Sequence, residues 1–325
     1  MYPAPVALIA AAAAAVLSPV GVALAQPYPS RPIRVVVPFS AGGAADILAR
    51  LVGQKLGESM GQQVVIDNRP GAGGTLGSGI VAKAPPDGYS LMVTSSAHAI
   101  NPSIYNKLPY DTNRDFATLT PLAVLPSVLV AHASVAAKSV PDLVTLAKTK
   151  PGALNYGSAG SGSTLHLAAE LFKSKTSTDV VHVAYKGNPE VITDLLGGRI
   201  QLSFLPVINV LPFKADNRVR FLAVTTTKRS SLLPDLPTIA EAGVKDYAFE
   251  AWWAAFAPAA TPRPIQERLN REIRRAMESP EGAARFAEQG AEPLYKPLPE
   301  AGAFVRAEID KMAQIVKAAG IARIN

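Results

Sequence analysis

The sequence has no cysteine, only two tryptophans and four histidines in 325 residues. Without thiols there are no disulfides, thiolate nucleophiles or cysteine-ligated metals, and the chain is compatible with an oxidising compartment. His98, His132, His166 and His182 are scattered without metal-ligand spacing, so no metal site and no cofactor is read from them. No Gly-x-Ser-x-Gly elbow surrounds any serine, no Walker A lysine follows a glycine loop, and the dinucleotide glycine spacing is absent. No catalytic residue is therefore assigned. A secreted hydrolase working through Ser161 or Ser163 is the weakest reading.

Charge is missing altogether from the first 25 residues, Met1 to Ala25. They hold an apolar run from Val6 to Leu17 and end in Ala23-Leu24-Ala25, the small-residue pattern of a cleavage site. This predicts a signal peptide over 1–25, a mature start at Gln26 and export to the periplasm. The run is short for a membrane span, and no later stretch is long and apolar enough to be one.

The 32 Lys and Arg outnumber the 25 Asp and Glu, giving a formal charge of +7. The excess is spread thinly. Arg271, Arg274 and Arg275 share a helical pattern whose other face carries Ile265, Leu269 and Ile273, as on a solvated helix side. No aromatics are interleaved with them, so no nucleic-acid partner is expected; a diffuse positive field favours a small anion instead.

Removing the leader leaves 325 − 25 = 300 residues, more than one core usually supports, so two lobes are expected. Strand-like Ile33 to Val37 runs into Pro38-Phe39-Ser40-Ala41-Gly42-Gly43 and a helical pattern with Leu48, Leu51, Val52 and Leu56. Further strands are predicted at Gln63 to Ile66 and Tyr89 to Thr94, with a helix from Thr75 to Ala84 between them. The alternation predicts parallel sheets with helices on their faces. It resumes beyond Ala123 with a helix from Pro141, strands at Leu154 to Tyr156, Val180 to Val183 and Ile200 to Phe204, and a short helix opened by Asn188 and Pro189. After Phe221 to Val224 come a Pro-rich stretch, Trp252-Trp253 and two long amphipathic helical patterns. These last are expected to pack on the first lobe. The lobes then comprise 26–124 with 246–325, and 125–245.

Two segments resemble each other physically, Phe39 to Asp46 and Gly157 to Thr164. Each sets a small-residue loop at a helix start, where backbone N–H groups lack intrahelical partners and an anion can approach closely. Ser161, Ser163 and Thr164 add hydroxyls, and His166 lies in the first turn that follows. One loop from each lobe could hold one carboxylate each. About three charge-assisted bonds per carboxylate, at roughly 1.5–3 kcal/mol each, exceed ordering costs by enough for about micromolar affinity. For a single loop the plainer reading is an ordinary strand-to-helix turn, with Asp46 as a first-turn carboxylate.

These residues resemble the substrate-binding proteins of tripartite tricarboxylate transporters, the Bug receptors. The likeness rests on Arg31-Pro32-Ile33; Pro38-Phe39 with Gly42-Gly43 and Asp46; Asn68-Arg69-Pro70-Gly71-Ala72-Gly73-Gly74; and Pro86-Asp87-Gly88-Tyr89. It continues through Tyr185-Lys186-Gly187, Gly197-Gly198, Leu233 to Thr238 with Glu241 and Gly243, and Ala257-Pro258 before Thr261-Pro262. The resemblance implies a type II periplasmic-binding fold, two α/β lobes closing on a cleft like a Venus flytrap, and no catalysis. It implies ligand contacts at Phe39, Ser40, Gly42 and Gly43, at Gly160, Ser161, Gly162, Ser163 and Thr164, and a floor of Ser95 and Ser96; Asp46 and His166 complete the candidate set. Leu205-Pro206 stands where amino-acid-binding relatives place an acid, which favours a plain carboxylate. The implied partners are a small carboxylate and the membrane subunits of such a transporter, with the receptor a monomer. The competing reading is a periplasmic sensor serving a signalling partner.

Overall fold

A computed structural model describes residues 28–324; the signal-peptide reading over 1–25 lies outside the described residues. The chain runs through β1 (Ile33–Val37), α1 (Ala44–Met60), β2 (Val64–Asn68), α2 (Thr75–Ala82), β3 (Ser90–Ser95), α3 (Ala97–Ile104), β4 (Phe116–Leu125) and β5 (Ser127–His132). It continues with α4 (Val140–Thr149), β6 (Asn155–Ser158), α5 (Thr164–Thr176), β7 (Val181–Ala184), α6 (Asn188–Leu196), β8 (Leu202–Pro206), α7 (Val207–Val210) and β9 (Val219–Val224). Last come β10 (Ala251–Pro258), α8 (Arg263–Glu278), α9 (Pro280–Glu288), β11 (Glu292–Pro293) and α10 (Leu298–Ala318).

Two sheets form, in the orders β11-β4-β10-β3-β1-β2 and β7-β6-β8-β5-β9. Each holds three parallel strands, β2-β1-β3 or β7-β6-β8. Each is then extended by an antiparallel strand, β10 beside β3 or β5 beside β8. The sheets are mixed where the alternation predicts parallel ones. The physical reason is the chain path: β5 and β10 are the first strands laid down after the chain passes from one sheet to the other. A strand that enters a sheet by such a passage has no crossover helix to make it parallel.

Local sequence explains the elements around the cleft. In α1 the apolar residues Leu48, Ala49, Val52 and Leu56 recur at helical spacing and are buried, each large one contributing about 1.5–3 kcal/mol. Gly61, in the left-handed region, ends the helix. The run Ala-Trp-Trp-Ala-Ala-Phe-Ala-Pro forms β10, buried along its whole length between β3 and β4. The C-terminal patterns resolve into three helices, because Ser279 and Pro280 stop α8 and cap α9. Helix α10 packs on α3 and β4, and α8 on α1. Among the described residues no helix is long and apolar enough to cross a membrane, and no cluster of His, Asp and Glu could hold a metal ion.

Candidate functional site

β1 and β6 hold equivalent positions in their sheets, and each ends in a loop that opens a helix. The two loops fold alike. Gly42 and Gly162 have φ of +80° and +79°, a conformation that costs a residue with a Cβ roughly 1–2 kcal/mol. The following caps, Gly43 (φ −74°, ψ 165°) and Ser163 (φ −71°, ψ 163°), are extended. In each loop the glycine amide then donates to the side chain four residues on. Gly42 donates to Asp46 Oδ2 at 2.9 Å, and Gly162 to His166 Nδ1 at 3.4 Å. The third helical residue thus braces the glycine before the cap, and the first two amides of each helix stay aimed outward.

Both loops face one cleft. Its cavity volume is only about 20 Å³, and it is lined by Phe39, Gly43, Ala44, Ala45, Ser95, Ala159, Ser163, Thr164, Leu165, Asn188 and Trp253. That is far below the about 300–1,000 Å³ of ligand pockets, so the lobes must part to admit a ligand. No lining residue is ionisable. The polar groups are the first-turn amides of α1 and α5, the hydroxyls of Ser95, Ser163 and Thr164, and the carboxamide of Asn188. Ser163 Oγ accepts from the His166 amide at 3.3 Å and Ser95 Oγ from the Ala97 amide at 3.3 Å, which leaves both hydroxyl protons free to donate. Phe39 and Trp253 supply apolar walls. Such a site attracts an anion through oriented dipoles and hydrogen bonds, without a formal counter-charge.

Of the residues singled out in the sequence, Phe39, Gly43, Ser95, Ser163 and Thr164 line the cleft. Asp46 and His166 stand behind it. Besides Gly42, Asp46 accepts from Arg50 at 2.9 Å and Asn68 at 3.1 Å. Burial raises its pKa, but these three donors outweigh burial and hold the carboxyl below its usual range. Burial pushes the His166 pKa down. It pushes that of His182, 4.6 Å away in ring contact, down to about 4. His182 meets Ser158 Oγ at 2.6 Å, and that hydroxyl receives the Gly160 amide at 3.1 Å, so the histidines buttress the second loop. Ser96 is buried and does not line the cleft, its amide donating to the Trp252 carbonyl at 2.7 Å.

Ser40, Gly42, Gly160, Ser161 and Gly162 form the seam where the lobes meet. Ser40 Oγ donates to Glu190 Oε1 at 2.6 Å, Asn209 Nδ2 to the Gly42 carbonyl at 2.9 Å, and the Tyr105 hydroxyl to the Ser161 carbonyl at 2.8 Å. Glycines permit the approach. A Cβ on Gly73 would sit 2.0 Å from the Ser161 oxygen, and one on Gly160 2.9 Å from the Gly73 nitrogen.

Sequence reading does not single out Ala44, Ala45, Ala159, Leu165, Asn188 or Trp253 as site residues. The alanines and Leu165 stand beside the predicted loops. Trp253 reaches the cleft because it pairs with Ser95 across β10 and β3. Asn188 opens α6 after the Gly187 cap, a helix start that the Asn-Pro pair already marks.

Solved proteins share this fold. A family model described as the tripartite tricarboxylate transporter family receptor matches residues 48–321. A Rhodopseudomonas palustris protein solved with adipate, Rpa4515, is 38% identical, with a TM-score of 0.88 over 91% of this chain and 100% of its own. The periplasmic binding protein BugD is 31% identical, with a TM-score of 0.88 over 91% of this chain and 100% of its own. MatC from Rhodopseudomonas palustris, solved with malate, is 29% identical, with a TM-score of 0.84 over 89% of this chain and 100% of its own. With its two-lobed fold and paired helix starts, the chain belongs to the family of tripartite tricarboxylate transporter receptors.

Proposed function

We propose that the protein captures a small carboxylate or dicarboxylate between its lobes, in the periplasm, and delivers it to a tripartite tricarboxylate-type membrane transporter. The observation that carries this reading is the pair of helix starts, from α1 and α5, lining one cleft that contains no ionisable side chain. Each start offers two first-turn amides, and the hydroxyls of Ser95, Ser163 and Thr164 line the same cleft. The adipate and malate bound by Rpa4515 and MatC support a diacid. Membership of a receptor family supports a binding role without catalysis.

The lobes we assign are 26–124 with 246–325, and 125–245, following the sheet that each strand joins. Delivery requires closure around the ligand and release on opening, and the hydrogen-bonded seam between the lobes supports such a motion. Isothermal titration calorimetry of the mature protein against C3 to C8 mono- and dicarboxylates tests the reading. Saturable binding of at least one acid is expected; a panel in which only amines or sugars bind overturns it.

A further inference from the structure

The orientation of the Asn188 carboxamide can be fixed from its neighbours. The Gly42 carbonyl is only an acceptor, so the Asn209 atom 2.9 Å from it is the amide nitrogen. The Asn209 oxygen therefore faces the other way, and the Asn188 atom 2.7 Å from it must be a donor, Nδ2. The relay leaves Asn188 Oδ1 as the free end. Asn188 is 7% exposed and lines the cleft, and its Oδ1 has no protein partner among the described residues. The other lining side chains with polar atoms, the hydroxyls of Ser95, Ser163 and Thr164 and the indole N–H of Trp253, are all able to donate. The Asn188 oxygen is the only side-chain group there that can accept and not donate.

We infer that Asn188 selects hydroxy-substituted carboxylates over the unsubstituted acids of the same chain length. A carboxylate has no proton to give this oxygen, so a plain diacid leaves it unpaired when the cleft closes. A hydroxyl on the ligand satisfies it and can accept in turn from a serine or threonine. An ammonium group also donates, but it carries a full charge into a cleft without a carboxylate, where desolvation opposes it. Asn209 is the positioning residue: it ties the Gly42 carbonyl of the first loop to the Asn188 amide and so fixes which end of Asn188 meets the ligand.

The inference rests on the cleft being the carboxylate site proposed above. Its test is calorimetry on the mature protein with matched pairs: succinate and malate, glutarate and 2-hydroxyglutarate, adipate and 2-hydroxyadipate. The hydroxy member of at least one pair binds about 3- to 10-fold tighter, the equivalent of one neutral hydrogen bond. Asn188→Leu, similar in size but without the acceptor, abolishes that ratio. Asn209→Ala frees the Asn188 amide to flip and lowers the ratio while Asn188 stays in place; it serves if Asn188→Leu does not fold. Equal binding within every pair, or a hydroxyl preference that survives both substitutions, overturns the inference and leaves the carboxylate reading standing. Failure of every acid to bind overturns both.

Discussion

Replacing Gly73 with alanine separates closure from folding. Gly73 lies in the left-handed region, at φ 59° and ψ 24°, so a Cβ costs roughly 1–2 kcal/mol of stability wherever the lobes stand. In the closed molecule that Cβ would also lie 2.0 Å from the Ser161 carbonyl oxygen. A carbon and an oxygen settle no closer than about 3.3 Å, so the two loops must part by roughly 1.3 Å or more. Donors at about 2.8 Å from a trapped carboxylate would then stand beyond about 4 Å, outside hydrogen-bonding distance. Losing one loop's set of about three charge-assisted bonds removes roughly 4.5–9 kcal/mol, a fall in affinity of about a thousandfold or more. Gly61→Ala is the control, because Gly61 has φ 67° and nothing within 4 Å of its would-be Cβ. Urea unfolding should show similar losses for both variants, whereas calorimetry should show lost affinity only for Gly73→Ala. Small-angle scattering should find that variant extended with and without ligand. A Gly73→Ala protein that compacts on ligand and binds within about threefold of the parent would refute the reasoning.

Three further outcomes follow from the site. Asp46→Ala removes the acceptor shared by Gly42, Arg50 and Asn68, and should lower urea-unfolding stability by about 1–3 kcal/mol; because the Asp46 pKa is lowered on folding, its contribution is present above about pH 4 and lost as pH falls through the folded value. Tyr105→Phe removes one bond across the seam and should weaken ligand binding about 2- to 10-fold by calorimetry, with little change in the unfolding midpoint. His182, behind the second loop and pushed down to about 4, and His98 on α3, pushed down to about 3, are neutral in the folded protein at about pH 5.5 and above. Ligand affinity should therefore be flat from about pH 5.5 to 8, while stability, fully present above about pH 6.5 where unfolded histidines are neutral too, declines as pH falls toward those folded values.

The elements that sequence reading located best are those whose period and punctuation agree. β1 is bounded by Pro32 and Pro38, and α1 and α5 begin at glycine and serine loops, so strand, turn and helix each leave a local signature. β10 has none of the alternation that marks a half-buried strand, because both its faces are covered, and an Ala- and Trp-rich run reads equally well as a buried helix. Its antiparallel direction is decided by the passage between lobes, which no local pattern records. The same split governs the site. The twin loops were legible because glycine and small residues at a helix start have a physical reason to be there. The division of labour within them was not: Asp46 and His166 are polar and adjacent to the cleft, yet their acceptors are spent on the glycine amides behind it. Asn188 and Trp253 enter the site only through tertiary contacts, with Asn209 and Ser95 respectively.

The paired helix starts are tested most directly by a crystal structure of the protein saturated with the tightest-binding acid of the calorimetric panel. Carboxylate oxygens are expected within about 3.2 Å of the amides of Ala44 and Ala45 at one end and of Thr164 and Leu165 at the other. A ligand held by lysine or arginine side chains, or seated away from both helix starts, would contradict it.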